Sequence, residues 1–407
     1  MVILLGFGPG DGGSTPLGTT TLTFFRYFMK KLLIIGINTR SMLNSALKLD
    51  YEIYSTSYFS TSDTPKIKNE KIILKENSDE SCGIFKDKFT SKNIIDISKD
   101  YINEADYIIP ISGVSPKDFK KKDQKKILGT VNVGDIENKL KFYKKIKDEF
   151  STPQTFHIND VDEAVEIDKN YPEKQFILKP TKGSGGYDVN LLNNDNNIQL
   201  NDREFIMQEY VEGINLSSSI LKSSNNVEVV TNSRLFTIND YKHNNDYRYV
   251  GNITPLTKES IGEEIQNINE ISKKLANKFN LVGSNGIDYI YNKNGLYVIE
   301  VNPRIQGTFE CVEKSFGINM LDKHIKSSLG ENVKIPEAKY YSYKKIIYAP
   351  KRVKYPPMNL NNIYDLPHIG SITEKEEPLL TIIDKSKSLK EVCKKVELTS
   401  KIVNQKL

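Results

Sequence analysis

Three polar residues with alternating spacing could assemble a metal site. Glu300, Asn302 and Arg304 lie two residues apart, directly after the apolar run at 297–299. Because successive side chains of a β-strand point to opposite faces, these three would share one face. A carboxylate, an amide oxygen and a guanidinium arranged in this way could bind a divalent cation and an anionic substrate.

A second carboxylate, Asp288, lies on the preceding apolar segment, and a predicted hairpin brings it to Glu300. The loop is predicted to be the three residues 293–295, with the glycine last, where a left-handed conformation costs least. Asn292 would then pair with Leu296. In that register Asp288 lies opposite Glu300, with the two Cβ atoms roughly 5 Å apart.

Two carboxylates at that distance repel each other, which destabilises a sheet. Mg²⁺ removes this penalty because it takes oxygen ligands from one or two carboxylates and from substrate phosphates. Two alternatives compete: a two-residue turn at 294–295 would place Asp288 opposite Val301, and a solvated sheet face could carry such acids without function. The other face of the hairpin is apolar and is predicted to supply the core, through Ile287, Tyr289, Tyr291, Ile299 and Val301.

A glycine-rich segment at 178–186 could hold phosphates. Its predicted strand delivers Lys179 to a loop that contains three glycines and one serine: Gly183, Ser184, Gly185 and Gly186. Glycines let backbone N–H groups approach phosphate oxygens, and the lysine adds a point charge. The segment is not a Walker A motif, and a plain surface turn is the alternative. A third stretch, 207–213, ends an apolar strand and could offer backbone groups to an adenine edge, with a plain strand end as the alternative.

The composition is that of a globular chain without a membrane span. The 407 residues are 38% hydrophobic and 27% charged, with no tryptophan and no apolar run long enough to cross a bilayer. The net charge of +5 is small beside 57 basic and 52 acidic residues, which argues against nucleic acid as a partner. The cysteines, Cys82, Cys311 and Cys393, and the four histidines lack disulfide or zinc spacing, so a cytoplasmic location is expected.

The residue pattern divides the chain into units. Residues 1–28, rich in glycine and threonine, are predicted to be a non-native or disordered extension before Met29. Residues 29–115 show a strand–glycine–helix–strand order, which predicts a doubly wound α/β domain with a parallel sheet. Residues 331–407 are predicted to form strands and a last helix that pack on the core built by residues 116–330.

The order of these elements resembles the ATP-grasp superfamily. Within it the chain is similar to archaeal proteins described as predicted ATP-dependent carboligases related to biotin carboxylase. The resemblance covers roughly 116–330, and 29–115 is similar to the small domain that precedes ATP-grasp in most members. It implies an ATP-grasp fold of two α+β subdomains with the nucleotide between them.

The resemblance also implies a role for each matching residue. Lys139 and Lys179 match lysines that contact the ATP phosphates, and 183–186 matches the loop that closes over them. The adenine hinge is matched by Gln208, Glu209, Tyr210 and Val211. The ligands of Mg²⁺ or Mn²⁺ are matched by Asp288, Glu300 and Asn302. Arg304 matches the arginine that steadies a phosphorylated intermediate. Lys179 is a further catalytic candidate, and so is Arg248, which lies near a position that is basic in relatives.

Two departures from the family pattern bear on the substrate. Asn215 stands where many members have a glutamate that holds the ribose hydroxyls. Thr308 stands where biotin carboxylases have the glutamate thought to activate bicarbonate, although Gln306 matches. The second departure argues against bicarbonate chemistry.

The predicted function is that of an ADP-forming ligase that uses ATP and Mg²⁺. A carboxylate would be activated as an acyl phosphate and attacked by a nucleophile, most simply an amine. A carboxyphosphate-forming carboxylase and a non-catalytic nucleotide-binding regulatory module are the alternatives. The expected partners are small-molecule carboxylate and amine substrates, without nucleic acid or membrane, and a homodimer is an alternative to a monomer.

Overall fold

The computed structural model describes residues 29–74, 89–183, 185–192, 203–257, 261–262 and 264–407. The predicted extension at 1–28 and the loop residue Ser184 lie outside these ranges. Within the described ranges, every helix is too short or too polar to span a lipid bilayer.

The N-terminal unit is a four-stranded parallel sheet covered by helices on both faces. Its strands have the spatial order β3-β2-β1-β4. They are β1 (Lys31–Gly36), β2 (Glu52–Ser57), β3 (Asn69–Ile72) and β4 (Tyr107–Pro110), and the helices are α1 (Arg40–Ala46), α2 (Ser91–Ile97) and α3 (Lys99–Glu104). Alternate residues of β1 enter two different cores: Leu32 and Ile34 pack with α1, whereas Leu33 and Ile35 pack with α2 and α3. This double burial explains the unbroken apolar run of β1 and confirms the predicted doubly wound sheet.

Short helices lead from this unit into a small antiparallel sheet. They are a 3₁₀ turn (Pro116–Asp118), α4 (Lys121–Gln124), α5 (Gly134–Glu137) and α6 (Lys139–Ile146). The small sheet has the order β5-β8-β6-β7. It consists of β5 (Thr155–Ile158), β6 (Phe176–Pro180), β7 (Asn190–Leu191) and β8 (Phe205–Glu209), with α7 (Val161–Asn170) packed against it. β6 carries Lys179 and ends at the glycine loop.

The largest sheet has eight strands, in the order β13-β12-β9-β10-β11-β14-β18-β16. Its first five strands are β9 (Ile214–Lys222), β10 (Val227–Thr237), β11 (Tyr249–Thr254), β12 (Gly283–Asn292) and β13 (Gly295–Asn302), and its associated helices are α8 (Asn239–Lys242), α9 (Glu264–Lys278), α10 (Phe309–Phe316) and α11 (Met320–Ser328). The apolar face of α9, including Ile268 and Leu275, packs on Leu216, Ile287 and Tyr289 of this sheet. The opposite face of β12 and β13 is left free to build a cavity.

The C-terminal segment extends the same large sheet. It contributes β14 (Tyr341–Tyr348), β16 (Ile363–Tyr364) and β18 (Pro378–Ser386), covered by α12 (Leu389–Lys406), and a separate pair, β15 (Val353–Lys354) and β17 (Ile372–Thr373). Val392, Val396 and Val403 of α12 are fully buried against β14 and β18. Strand pairing therefore makes this segment continuous with the core that carries the hairpin.

A buried charge cluster joins the three parts of the chain. The Arg40 side chain is 2% exposed, and its Nη1 lies 2.6 Å from Oε1 of Glu310. Its Nε donates to Oδ1 of Asp365 at 2.9 Å. Lys344 also contacts Glu310, with Nζ 3.2 Å from Oε2. The cluster fixes the turn after β1 against the helix that follows the hairpin and against the C-terminal segment.

Candidate nucleotide and metal site

The hairpin that joins β12 to β13 has a two-residue turn. Asn292 pairs with Gly295, so the turn consists of residues 293–294. The Asn292 side chain closes it: Oδ1 accepts a hydrogen bond from the Asn294 backbone N–H at 2.9 Å, and Nδ2 donates to the Glu212 carbonyl at 2.8 Å. The predicted three-residue loop is therefore wrong, because an asparagine side chain that bonds two residues ahead stabilises the shorter turn.

A β-bulge restores the predicted pairing of the two acids. Tyr289 pairs with Val298, whereas the neighbouring Asp288 pairs with Glu300, which leaves Ile299 as an extra residue. The bulge also changes which residues face the core. Leu296 and Val298 join the buried cluster instead of Ile299, which lines the cavity. The predicted Asp288–Glu300 opposition is thus confirmed, and the predicted core position of Ile299 is wrong.

Asn302 connects the two carboxylates. Its Nδ2 donates to Oδ2 of Asp288 at 2.9 Å and lies 3.4 Å from Oε1 of Glu300. The three side chains therefore share one face, as the strand periodicity predicts. Asp288 and Glu300 offer carboxylate oxygens, and Asn302 offers an amide oxygen. These are the ligand atoms that a hard divalent cation such as Mg²⁺ prefers. The described residues contain no group of three His, Cys, Asp or Glu placed to hold a metal ion, so a metal here would rely on the amide and on ATP oxygens.

The electrostatics of the pair also suit a divalent cation. Burial, together with the neighbouring Glu300 charge, raises the pKa of Asp288 to about 7, against hydrogen bonds from Ser217 and Asn302. Burial disfavours the charged form of Glu300 as well, but Lys139, Lys179 and Arg304 outweigh it and hold the pKa of Glu300 below its ordinary value. Of the two acids, Asp288 is therefore the one that takes up a proton more readily. A divalent cation would displace that proton.

Two lysines approach the same acids from other elements. Lys139, at the start of α6, donates from Nζ to the Gly183 carbonyl at 2.7 Å, and its Nζ lies 3.5 Å from Oε2 of Glu300. Lys179 on β6 donates to Oε1 of Gln208 at 2.8 Å. Burial lowers the pKa of Lys179 to about 8, with the Glu300 charge opposing and the Lys139 charge adding to the shift. Both predicted phosphate lysines thus stand beside the predicted metal ligands.

The glycine loop packs against the turn that begins β11. The backbone N–H of Tyr249 donates to the Gly185 carbonyl at 3.2 Å. Gly186 has a φ of +76°, and a Cβ built there would lie 2.0 Å from the Tyr247 carbonyl oxygen. Gly183, Gly185 and Gly186 all line the cavity. Only glycine fits the closest approach of this loop.

A cavity of about 680 Å³ runs between the small sheet and the large sheet. Its lining includes every predicted hinge residue and the predicted ribose position, namely Gln208, Glu209, Tyr210, Val211 and Asn215. Oε2 of Glu209 also forms an ion pair with Nζ of Lys174 at 3.1 Å. At the far end the N-terminal unit contributes Asn38, Ser41, Met42, Ile111 and Ser112. The volume lies within the range of small-molecule sites.

The two arginines named as catalytic candidates have different positions. Arg304 lines the cavity, and its guanidinium makes no hydrogen bond or ion pair with any residue that the structure describes. Arg248 does not line the cavity. Its Nε donates to Oδ1 of Asp246 at 2.9 Å and its Nη1 to the Glu376 carbonyl at 2.8 Å. The Asp246 carboxylate binds the Arg248 guanidinium away from the cavity, so the structure does not bring Arg248 to the nucleotide site.

Sequence reasoning missed Ser217, which lies beside the acids. Its Oγ donates to Oδ1 of Asp288 at 2.6 Å, and it accepts from Nε2 of Gln306 at 3.0 Å. The residue belongs to β9, where Ser217 pairs directly with Asp288. A single serine in a strand carries no functional signal, so only the strand pairing could have identified it.

Comparison with known proteins agrees with this architecture. Residues 136–308 match the model of an ATP-grasp domain. The uncharacterized protein MJ0776 of Methanocaldococcus jannaschii is 30% identical over 374 residues, which cover 87% of this chain and 88% of that protein. The tyramine–L-glutamate ligase of the same organism is 29% identical over 175 residues, and the match covers 42% of this chain and 44% of the ligase.

A solved structure shares the fold along nearly the whole chain. The N5-carboxyaminoimidazole ribonucleotide synthetase of Thermotoga maritima superposes with a TM-score of 0.67 at 16% identity, covering 92% of this chain and 98% of that one. An identity this low compares the folds alone, and it confirms the predicted fold class. The domain match and the similarity to MJ0776 across most of both chains show that this chain belongs to the ATP-grasp family of ligases.

Proposed function

We propose that this protein joins a carboxylate to an amine with ATP and Mg²⁺, and forms ADP and phosphate. One observation carries the proposal: Asp288 and Glu300 face each other beside Asn302, and two lysines converge on the same point. Charges placed in this way stabilise a triphosphate and the charge that develops when its terminal phosphoryl group is transferred. The relative that ligates tyramine, an amine, to L-glutamate, a carboxylic acid, supports the same reaction class.

The proposed chemistry has two balanced steps. A carboxylate oxygen of the first substrate attacks the γ-phosphorus of ATP, the bond to the β-phosphate oxygen breaks, and ADP leaves. The amine nitrogen then attacks the acyl carbon, the carbon–oxygen bond to phosphate breaks, and the nitrogen loses a proton. Both steps depend on positioning and charge neutralisation more than on a protein nucleophile.

Each group at the site has a role in these steps. Lys139 and Lys179 would hold the phosphates, and the loop that contains Gly185 and Gly186 would cover them. A bound Mg²⁺ would neutralise phosphate charge, and the residues that would hold it are Asp288, Glu300 and Asn302. Arg304, which lacks a partner among the described residues, would steady the phosphorylated substrate.

Thr308 stands where biotin carboxylases have a glutamate, and this difference favours an amine ligase over a carboxyphosphate-forming carboxylase. The Thr308 hydroxyl lies 3.2 Å from the Ser219 hydroxyl and is buried. A threonine has no carboxylate to take a proton from bicarbonate, which leaves a carboxylase without a base at that position. A cytoplasmic location is part of the same proposal, since Cys311 is a free, buried thiol and Cys393 is also free.

An ADP-release screen tests the proposal. Purified protein is incubated with ATP and Mg²⁺ against paired carboxylates and amines, and each compound is also tested alone. Release that requires one carboxylate and one amine supports the ligase, and hydroxylamine in place of the amine should trap the acyl phosphate as a hydroxamate. Release that requires only bicarbonate, or ATP binding without turnover on any pair, would contradict it.

A further inference from the structure

A second cavity opens beside the first one and shares part of its lining. Its volume is about 190 Å³, less than a third of the 680 Å³ of the large cavity. The two cavities share the walls that surround the reacting phosphate in the proposed function: Lys139, Gly183, Glu300, Asn302 and Arg304. A molecule in the small cavity would therefore meet the terminal phosphate from a side that the nucleotide does not occupy.

The outer wall of the small cavity comes from the N-terminal unit and from α5. The turn after β4 supplies Gly113, Val114 and Ser115. The Ser115 hydroxyl lies 3.0 Å from Oε2 of Glu137, and Nζ of Lys117 lies 3.3 Å from the same oxygen. These contacts neutralise the one carboxylate that this wall contributes. This wall therefore exerts little electrostatic repulsion on an anion.

The charges that line the small cavity have an excess of cations. Its described lining contains four basic residues, Lys117, Lys139, Lys182 and Arg304, against two acidic ones, Glu137 and Glu300. The described lining of the large cavity has the opposite balance, with three basic residues, Lys139, Lys179 and Arg304, and five acidic ones, Glu209, Glu212, Asp240, Asp288 and Glu300. An anionic substrate is thus attracted to the small cavity.

Two of these cations make no direct polar contact within the described ranges. Lys182 is exposed, and neither it nor Arg304 forms a hydrogen bond or an ion pair with any residue in the described ranges. Lys182 extends from the start of the glycine loop, whereas Arg304 follows β13. A carboxylate between them would be bound from two sides, and charge-assisted hydrogen bonds of this kind are the strong ones.

We infer that the small cavity binds the carboxylate substrate. This inference rests on the proposed function and specifies its substrate class: a small unphosphorylated acid of about amino-acid size. The cavity lies below the ~300 Å³ at which sites for larger ligands begin. The carboxylate would then reach the γ-phosphoryl group from the small cavity, beside Arg304.

The test compares Michaelis constants in the ADP-release assay, with a carboxylate and an amine that the wild-type protein accepts. Lys182→Glu should raise the KM for the carboxylate roughly tenfold or more, as loss of a charge-assisted contact predicts. Lys182→Gln should raise it by a smaller factor. Lys117→Gln should also raise it, because Glu137 would lose its partner. The KM values for ATP and for the amine should stay within about twofold.

Lys141→Gln is the matched control. Lys141 lies two residues from Lys139, its side chain is 62% exposed and it lines neither cavity, so all three KM values should be unchanged. A rise in the KM for ATP as large as that for the carboxylate would assign Lys182 to the nucleotide and overturn the inference. A rise for the amine alone, or no change in any KM, would overturn it too. Absence of turnover by the wild type on every pair would instead reject the proposed function itself, and the inference with it.

Discussion

The carboxylates of Asp288 and Glu300 face each other on adjacent strands, and the Asn302 amide lies between them. The extra residue at Ile299 sets this register, because without the bulge the short turn would pair Asp288 with Ile299. Two like charges held this close are unfavourable without a counter-ion. This unfavourable opposition is the physical basis for the cation site proposed above.

Removing the charge of Asp288 should stabilise the metal-free protein and inactivate the enzyme. The pKa of Asp288 is raised in the folded state to about 7, so the folded protein holds this proton more tightly than the unfolded chain. Protonation of Asp288 therefore adds to the free energy of unfolding. This contribution is complete below the pKa that Asp288 has in the unfolded chain, and it is lost as the pH rises through 7. At pH 8 without Mg²⁺, Asp288→Asn should raise the Tm by about 2 °C.

The same two proteins show whether Mg²⁺ acts at this residue. Mg²⁺ should raise the Tm of the wild type at pH 8 and leave that of Asp288→Asn nearly unchanged. Differential scanning fluorimetry at pH 5 and pH 8 provides the comparison. An equal response of both proteins to Mg²⁺ would show that the ion binds elsewhere.

Glu300→Gln should abolish ADP release and leave the fold intact. The substitution keeps the shape of the side chain but removes the charge that Lys139, Lys179 and Arg304 stabilise. A metal ligand that loses its charge typically lowers turnover by about 100-fold or more, as for other electrostatic catalytic groups. ADP release measures turnover, and circular dichroism checks the fold. Glu270→Gln, at an exposed position of α9, is the control, and unchanged turnover of Glu300→Gln would contradict the metal role.

ATP binding should weaken at alkaline pH because of Lys179. Its pKa is lowered to about 8 in the nucleotide-free protein, and phosphates require the charged ammonium. Above pH 8 the lysine must take up a proton before it binds, so the apparent Kd for ATP should rise about tenfold per pH unit. Calorimetry in two buffers with different ionisation enthalpies would detect the proton uptake. A Kd that stays flat from pH 7 to about 9.5, or the same slope in Lys179→Gln, would exclude this role.

The charge cluster around Arg40 should contribute strongly to stability. Arg40→Met leaves Glu310 and Asp365 buried without their main partner, and loss of one partner of a buried ion pair costs about 3–5 kcal/mol. Ser45→Ala is the control, because Ser45 lies on the same helix and its Oγ donates to Glu313 at 2.8 Å, a neutral-to-charged contact of lower cost. Urea unfolding measures both free energies. Equal losses in the two variants would show that the cluster adds little.

The strand-end motif was predictable because its spacing is local. The period of two puts Glu300 and Asn302 on one face of β13, whereas Arg304, which was predicted to share that face, lies beyond the end of the strand at Asn302. The turn length and the bulge were not predictable, since they depend on how the Asn292 side chain bonds and on which residues of β13 pack against α9. The apolar run of β1 likewise identified a buried parallel strand from composition alone.

Contacts between distant segments account for what the sequence did not show. Ser217 approaches Asp288 only through the pairing of β9 with β12. Arg248 has the right charge for the site, but Asp246 binds it two residues away. The small cavity joins the turn after β4 to the hairpin, nearly two hundred residues apart in sequence. None of these contacts leaves a periodic signal in the sequence.

The close approach of Gly186 to the Tyr247 carbonyl leads to a last prediction, which concerns nucleotide binding. Gly186→Ala would place a Cβ 2.0 Å from the Tyr247 carbonyl oxygen, at a residue whose φ of +76° already disfavours a side chain. The loop would then be held away from β11 and from the phosphates it should cover. The KM for ATP should rise about tenfold or more, while the Tm changes little because the loop contributes little to the core.

A glycine with free space around it provides the control for Gly186→Ala. It separates the clash with Tyr247 from any general cost of adding a methyl group. Gly134 begins α5, and a Cβ built there meets nothing within 4 Å, so Gly134→Ala should leave both the KM for ATP and the Tm unchanged. The assay is initial-rate ADP release at varied ATP, with the carboxylate and amine saturating. If Gly186→Ala binds ATP as the wild type does, the loop does not need its approach to Tyr247, and the phosphates are held by Lys139 and Lys179 alone.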